Sequence, residues 1–568
     1  MVGAALRHDH RLRRYGRLAQ RPGHLVGAWL PHHIRAADAR DRRPGPAPPV
    51  FEPGPGFAAG RAGGDHQGSG RCHLTRLRRV TDTAEGAAAQ LGTRAVSNSV
   101  FILVARTVSK AISLVVVIVL ANALGDANYG RYTTLIVYSG LFAVIGDLGF
   151  QSLYTREAAR NRAELGHYLG TLIVFRIGLA AAAAVVFGIA LGLGTGLTTL
   201  IVPGAALLTA TAFATLLRNT FYSVGRAEFD AIAIVVETLI QAGLIVFGAR
   251  RHAGVAYYIW AYTASYSFTI LYSVAVIHLF RLGRIRLGLD VNLIWRWLPL
   301  ALPFAFTFFL TNVYFRAGFV ILQQFRSFAE VGWFTLAYKP FEALQFVPLA
   351  IQTVVYPLLA VYFVSDPSRL KVAYERFFKV LVLLGWPLTV GTFVLVHPIN
   401  QIFNRSGEFA QSEPALRVLA FGIVFLFVNS AFYAMLNAMN RQGLNAWATA
   451  LATIVAVALN LAAIPLFGYI GASFATVLTE AALCTFGWWF VQVRRPELRL
   501  AVVRIAWRIV LAGLVMGAVL YLIRRYSIFL TAPAGFVVYA LAIYFVRAVE
   551  PEEWRLARDG LISRLRPA

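Results

Sequence analysis

The chain is poor in cysteine, in acidic residues and in charge altogether. Cys72 and Cys484 are its two cysteines in 568 residues, one in a hydrophilic leader and one in an apolar stretch, so no disulfide framework and no CxxC metal or redox motif is available. Asp and Glu number 27 against 53 Lys and Arg, charged residues make up 14% of the chain, and 58% is hydrophobic with a mean hydropathy of +0.62. That balance excludes an ordinary water-soluble domain and predicts a membrane protein. No GxxxxGK[ST], HExxH or GxSxG motif occurs, which removes ATP hydrolysis on a phosphate loop and the commonest zinc and serine hydrolase chemistries. No catalytic constellation, cofactor or metal is expected, and the chain is read as a non-enzyme.

What is present begins with a leader, residues 1–79, rich in Arg, Gly, Pro and Ala, without helical or strand period. It reads as disordered, or as the product of translation from too early a start, with Val80 as an alternative first residue; its His32 and His33 are poor metal ligands. Residues 80–96 form a short cytoplasmic segment. From there fourteen apolar stretches are long enough to cross a bilayer: 97–124, 129–152, 167–193, 197–217, 231–249, 254–280, 294–322, 331–361, 377–398, 414–437, 444–467, 469–492, 503–523 and 528–546. The fold class is therefore all-α and polytopic, with a six-helix lobe at 97–280, a basic linker at 281–296, a second six-helix lobe at 297–492, two extra helices in 493–547 and an amphipathic cytoplasmic tail at 548–568.

The formal charge of +26 would suggest nucleic acid on a soluble protein. Here 24 Lys and Arg of the connections fall on the side of the first segment and 8 on the other. This predicts both termini in the cytoplasm of an inner or plasma membrane, and makes the bilayer rather than nucleic acid the charged partner. Trp295 and Trp297, like Trp488 and Trp489, suit interfacial belts.

A shift of 202 residues pairs Gly130 with Gly332, Tyr132 with Phe334, Thr133 with Thr335 and Tyr154 with Tyr356. The repeated pattern of helix, short loop, glycine, aromatic and helix predicts two related bundles, a common transporter plan.

"ALGDANYGRYTTLIVYSGLFAVIGDLGFQSLYTREAARN" and "AEVGWFTLAYKPFEALQFVPLAIQTVVYPLLA" resemble matching elements in the two halves of the polysaccharide biosynthesis flippases, the O-antigen type within the multidrug/oligosaccharidyl-lipid/polysaccharide exporter superfamily. The resemblance runs from about Val96 to Arg495. It implies alternating access between two lobes, with undecaprenyl-diphosphate-linked oligosaccharide as cargo and polysaccharide polymerase and glycosyltransferases as partners. The sequence departs from the resemblance at Gly318, where an acidic residue is expected.

Charge within spans is costly and usually faces a bundle interior or a wet cavity. Arg106 and Lys110 share one face of the first helix and either line a cavity or reach the headgroups. Asp147 and Arg176 either neutralise one another or serve cargo and coupling separately. Lys339 and Glu342, at i and i+3, either pair locally or meet substrate. Arg316 has similar apolar lengths on each side and no acid within a turn; a diphosphate fits its two-pronged guanidinium, and a structural role on backbone carbonyls or Glu342 is the alternative. Arg316, Lys339, Arg106, Lys110 and Arg176 are thus candidate cargo contacts, and Asp147, Glu237, Glu342 and Glu480 candidate coupling or structural charges. Two other functions fit the same outline: a drug/cation antiporter of the same superfamily, and a membrane-embedded polysaccharide polymerase or ligase.

Overall fold

The structure, a computed structural model, describes residues 69–404 and 407–549, with side chains at Ile102 and from Val104 onward. Most of the leader and of the C-terminal tail lie outside the described residues. Two compact units divide the chain at Asp82, and the side-chain contacts below all lie in the second, Thr83–Ala568.

Fifteen α-helices account for the described chain, and no strand occurs among those residues. They are α1 (Ser69–Asp147), α2 (Phe150–Arg160), α3 (Leu165–Thr195), α4 (Ile201–Ser223), α5 (Glu228–Arg250), α6 (Val255–Leu279), α7 (Val291–Phe325), α8 (Phe328–Leu344), α9 (Phe346–Ser365), α10 (Pro367–Val394), α11 (Val396–Phe403), α12 (Ser412–Ala438), α13 (Gln442–Arg494), α14 (Val502–Ile523) and α15 (Ile528–Val546). Eleven stretches are long and apolar enough to span a membrane. Two of them, in α1 and α13, each hold two helices joined at a glycine with positive φ, Gly125 and Gly468. With α6, a 25-residue helix outside those eleven, the fourteen predicted spans each have a helical counterpart.

The differences in boundary have local causes. The predicted span 331–361 is broken at Gln345 into α8 and α9, because Pro348 has no N–H to give the Leu344 carbonyl and its ring crowds that group. Helix α10 starts ten residues before the predicted 377: Asp366 caps it, accepting from the backbone N–H of Ser368 and Arg369 at 3.0 and 3.1 Å, and Pro367 occupies its first position. The charges of that first turn had lowered the hydropathy without stopping the helix. Helix α7 likewise starts at Val291, inside the predicted linker. Residues of the linker lie along the start of α3, where the Arg286 N–H donates to the Gly166 carbonyl at 3.2 Å. Trp297 is not a belt residue: it is buried, with its ring 4.9 Å from that of Tyr168.

Buried residues gather into one large core built from 319–548 with Val137, and two smaller ones mainly from 116–301. The two halves meet where the second arm of α1 crosses α8. A side-chain carbon on Gly130 would lie 1.8 Å from the Phe328 carbonyl oxygen, and one on Gly332 would lie 2.2 Å from that of Asp126. Phe328 follows Asp126 by the same 202 residues that separate the glycines, so the contact is reciprocal under the repeat. Beside the crossing, the Asp126 N–H donates to Glu408 at 3.1 Å and the Trp333 indole to the Asp126 carboxylate at 3.0 Å.

Candidate functional site

Helix α7 carries Arg316. At its start Asp290 caps the helix by accepting the Leu293 N–H at 2.9 Å, and that bond, helped by the neighbouring His167 ring, holds the Asp290 carboxyl below its usual range. Further along, the Asn312 amide donates to the Phe308 carbonyl at 2.9 Å, which aims its oxygen at the next turn. There Arg316 Nε donates to Asn312 Oδ1 at 3.1 Å, and Nη1 reaches the Ile136 and Val137 carbonyls of α1 at 3.4 and 3.3 Å. The approach depends on Gly140, where a Cβ would fall 2.1 Å from Nη1. No carboxylate pairs with Arg316 among the described residues. The two carbonyls already serve their own helix, so the guanidinium is positioned without being neutralised.

Lys339 of α8 bonds Glu342 at 2.8 Å, one turn apart and both partly exposed. The Glu342 charge is also felt by Lys110 of α1 and by Arg316. Arg316, Lys339 and Lys110, from α7, α8 and α1, thus all act on the one carboxylate of Glu342. A planar donor fork, a mobile ammonium and a carboxylate that can release it suit a multiply charged phosphate better than a cation.

The remaining candidates lie elsewhere. Arg106 donates to the Tyr222 hydroxyl at 2.9 Å; Tyr222 bonds Asp230, which accepts from Arg218 at 2.6 Å; Arg218 reaches Glu237 at 3.5 Å, and Thr269 donates to Glu237 at 2.6 Å. This network joins α1, α4, α5 and α6 and is balanced in charge. Arg218, one residue past the predicted span 197–217, lies inside α4, which runs to Ser223. Arg176 is 3% exposed and has both its needs met locally, bonding Asp147 and the Ala212 carbonyl, the latter at 2.7 Å. Glu480 is buried in the C-terminal half and accepts from Tyr314 and Asn429, each at 2.8 Å. It borders a cavity of about 30 Å³ that also touches Gly318 and Asn460.

Sequence reasoning thus singled out the members of the α1, α7, α8 cluster and missed Asn312, Gly140, Tyr222, Asp230 and Arg218. Asp230 sits in the first turn of α5, where acids are ordinary. Its bond to Arg218 across the turn at Gly225 has no signal in periodicity.

The family model described as Polysaccharide biosynthesis protein matches residues 95–363, and that described as Lipid II flippase MurJ matches 318–546. Among solved structures, the Lipid II flippase MurJ in an inward closed conformation superposes with a TM-score of 0.68 at 14% identity, covering 79% of this chain and 99% of that one. An inward-facing multidrug resistance MATE family transporter of the MOP superfamily gives 0.58 at 16%, covering 68% and 95%. These identities speak for the fold. An uncharacterized membrane protein of Methanocaldococcus jannaschii is 25% identical over 153 residues, 26% of this chain and 29% of that protein, so the match spans less than a third of that relative's length.

Proposed function

We propose that the chain is a flippase of the multidrug/oligosaccharidyl-lipid/polysaccharide exporter type, which turns an undecaprenyl-diphosphate-linked oligosaccharide from the cytoplasmic to the outer leaflet; the two family-model matches and the shared fold support this reading. The observation that carries this reading is the action of Arg316, Lys339 and Lys110 on Glu342, from helices contributed by both halves. A diphosphate loses its hydration on entering the membrane and needs charged partners there. Arg316 supplies two parallel N–H donors, and Lys339 passes from Glu342 to the more highly charged phosphate. Alternation of the two lobes about this cluster then exposes the cargo to one leaflet or the other. The prolines at 299, 303, 340 and 357, inside α7, α8 and α9, provide points where those helices bend. Arg176 and Asp147 serve the fold in this scheme, and the Arg106–Glu237 network ties α1 to its bundle.

The competing reading, a drug/cation antiporter, is opposed by the same three cations, which repel a cationic drug. Reconstituted into vesicles, the full chain should translocate fluorescent undecaprenyl-diphosphate oligosaccharide and should not accumulate ethidium; the opposite pattern would transfer the assignment to the antiporter.

Orientation follows from the positive connections, with both termini cytoplasmic. Single cysteines introduced at 281–290 should be blocked in cells only by membrane-permeant reagents, and one at Gly407 also by impermeant reagents from outside. Reversed labelling would invert the direction of transport.

A further inference from the structure

We propose that an open pocket in the C-terminal half, bordered by α7, α9, α12 and α13, receives the sugar that adjoins the diphosphate. The proposal rests on the flippase reading and adds a specificity-determining subsite to it. The pocket has a volume of about 460 Å³, within the roughly 300–1,000 Å³ of small-ligand sites. Its wall carries four amides, Gln345, Gln352, Asn429 and Asn445, with the rings of Tyr314 and Tyr433 and the carboxylate of Glu480.

Two of these amides are incomplete. Gln345 Nε2, a donor, and Asn429 Oδ1, an acceptor, are buried with no hydrogen-bond partner. They come from different helices and differ in polarity. A hydrocarbon tail filling the pocket would leave both unpaired at the full cost of desolvation, whereas sugar hydroxyls donate and accept and satisfy both. Asn429, Glu480, Tyr314 and Asn445 are held in place beforehand. Asn429 donates to Glu480 at 2.8 Å, as does Tyr314, and Asn445 donates to the Asn437 side chain at 2.8 Å and the Tyr433 carbonyl at 3.1 Å. Such fixing reduces the ordering cost of binding a flexible ligand. The half-exposed Tyr433 ring offers an apolar face to the C–H side of a pyranose.

Position agrees with composition. Gln345 follows Glu342 by three residues at the end of α8, one turn further along the helix that carries Lys339. A lipid diphosphate held by Arg316 and Lys339 therefore presents its first sugar beside the pocket. The ligand class is an uncharged hexose or N-acetylhexosamine ring.

The test compares two probes on the purified full chain in nanodiscs: undecaprenyl diphosphate, and the same lipid carrying N-acetylglucosamine. The wild type should bind the sugar-bearing lipid about tenfold more tightly. Gln345→Leu, and separately Tyr433→Ala at the exposed ring, should remove that preference while leaving affinity for the bare lipid unchanged. Equal binding of the two lipids by the wild type, or variants that retain the preference, would overturn the subsite and leave the flippase reading standing. Variants that weaken both lipids alike would also overturn it, by assigning the pocket to the prenyl tail. A wild type that binds neither lipid would overturn the flippase reading itself, and the subsite with it.

Discussion

Arg316→Ala should lower transport roughly ten- to a hundredfold while the protein reaches the membrane in its normal amount. The estimate follows from hydrogen bonds to a charged group, worth about 1.5–3 kcal/mol, at about 1.4 kcal/mol per tenfold in rate. Folding should be spared because the carbonyls that Arg316 touches, those of Ile136 and Val137, lie within α1 and keep their helical N–H partners when it is removed. Arg316→Lys retains the charge and loses the fork, so it should give an intermediate rate. Surface polysaccharide complementation, read against membrane abundance of the variant, is the measurement. Normal export by a well-expressed Arg316→Ala would remove the residue from the transport path, and reduced abundance with normal transport per molecule would make it a structural residue.

Arg176→Ala should do the opposite. Its guanidinium is enclosed with Asp147 and the Ala212 carbonyl, and removing one partner of a buried pair costs about 3–5 kcal/mol because the other charge stays behind. That is a large share of a typical folding stability of about 5–15 kcal/mol. Folded yield in membranes and the detergent melting temperature should both fall sharply. The double variant Asp147→Leu with Arg176→Met should recover most of the loss, since two apolar side chains leave nothing unpaired. If the double variant is as unstable as the single one, the pair is not the source of the stability. If Arg176→Ala folds normally and fails to transport, the arginine belongs with the cargo contacts.

The contrast between the two arginines shows what the sequence could and could not convey. Both stand in apolar helices, and spacing along the chain treats them alike. The difference lies in what other helices bring: Asp147 on the end of α1 for one, a bare backbone opened by Gly140 for the other. The helices themselves were legible, because a span's apolar length is a property of its own residues; even the breaks at Gly125 and Gly468 fell between predicted spans. Breaks and starts set by a proline or a cap inside an apolar or charged run, as at Gln345 and Pro367, were not. The network from Arg106 to Glu237 was legible only at its two ends. Its middle members, Tyr222, Arg218 and Asp230, are residues of helix ends and first turns, where polar groups ordinarily face water. Only the meeting of α4 with α5 turns them into a bonded chain.

The crossing of Gly130 and Gly332 bears on how fast the molecule can change state. Elsewhere the halves of such a bundle are laced together by side chains seated between one another, and parting them requires each to leave its seat. Here two bare backbones lie against each other, so separation at this point has no rotamers to unlock and little friction to overcome. Resistance to parting falls to the side chains alongside: the bonds from Asp126 to Glu408 and to Trp333, the Tyr129 ring against Phe409, and Arg131 over the Phe328 ring. The crossing therefore works as a smooth bearing, and those ties as its latch.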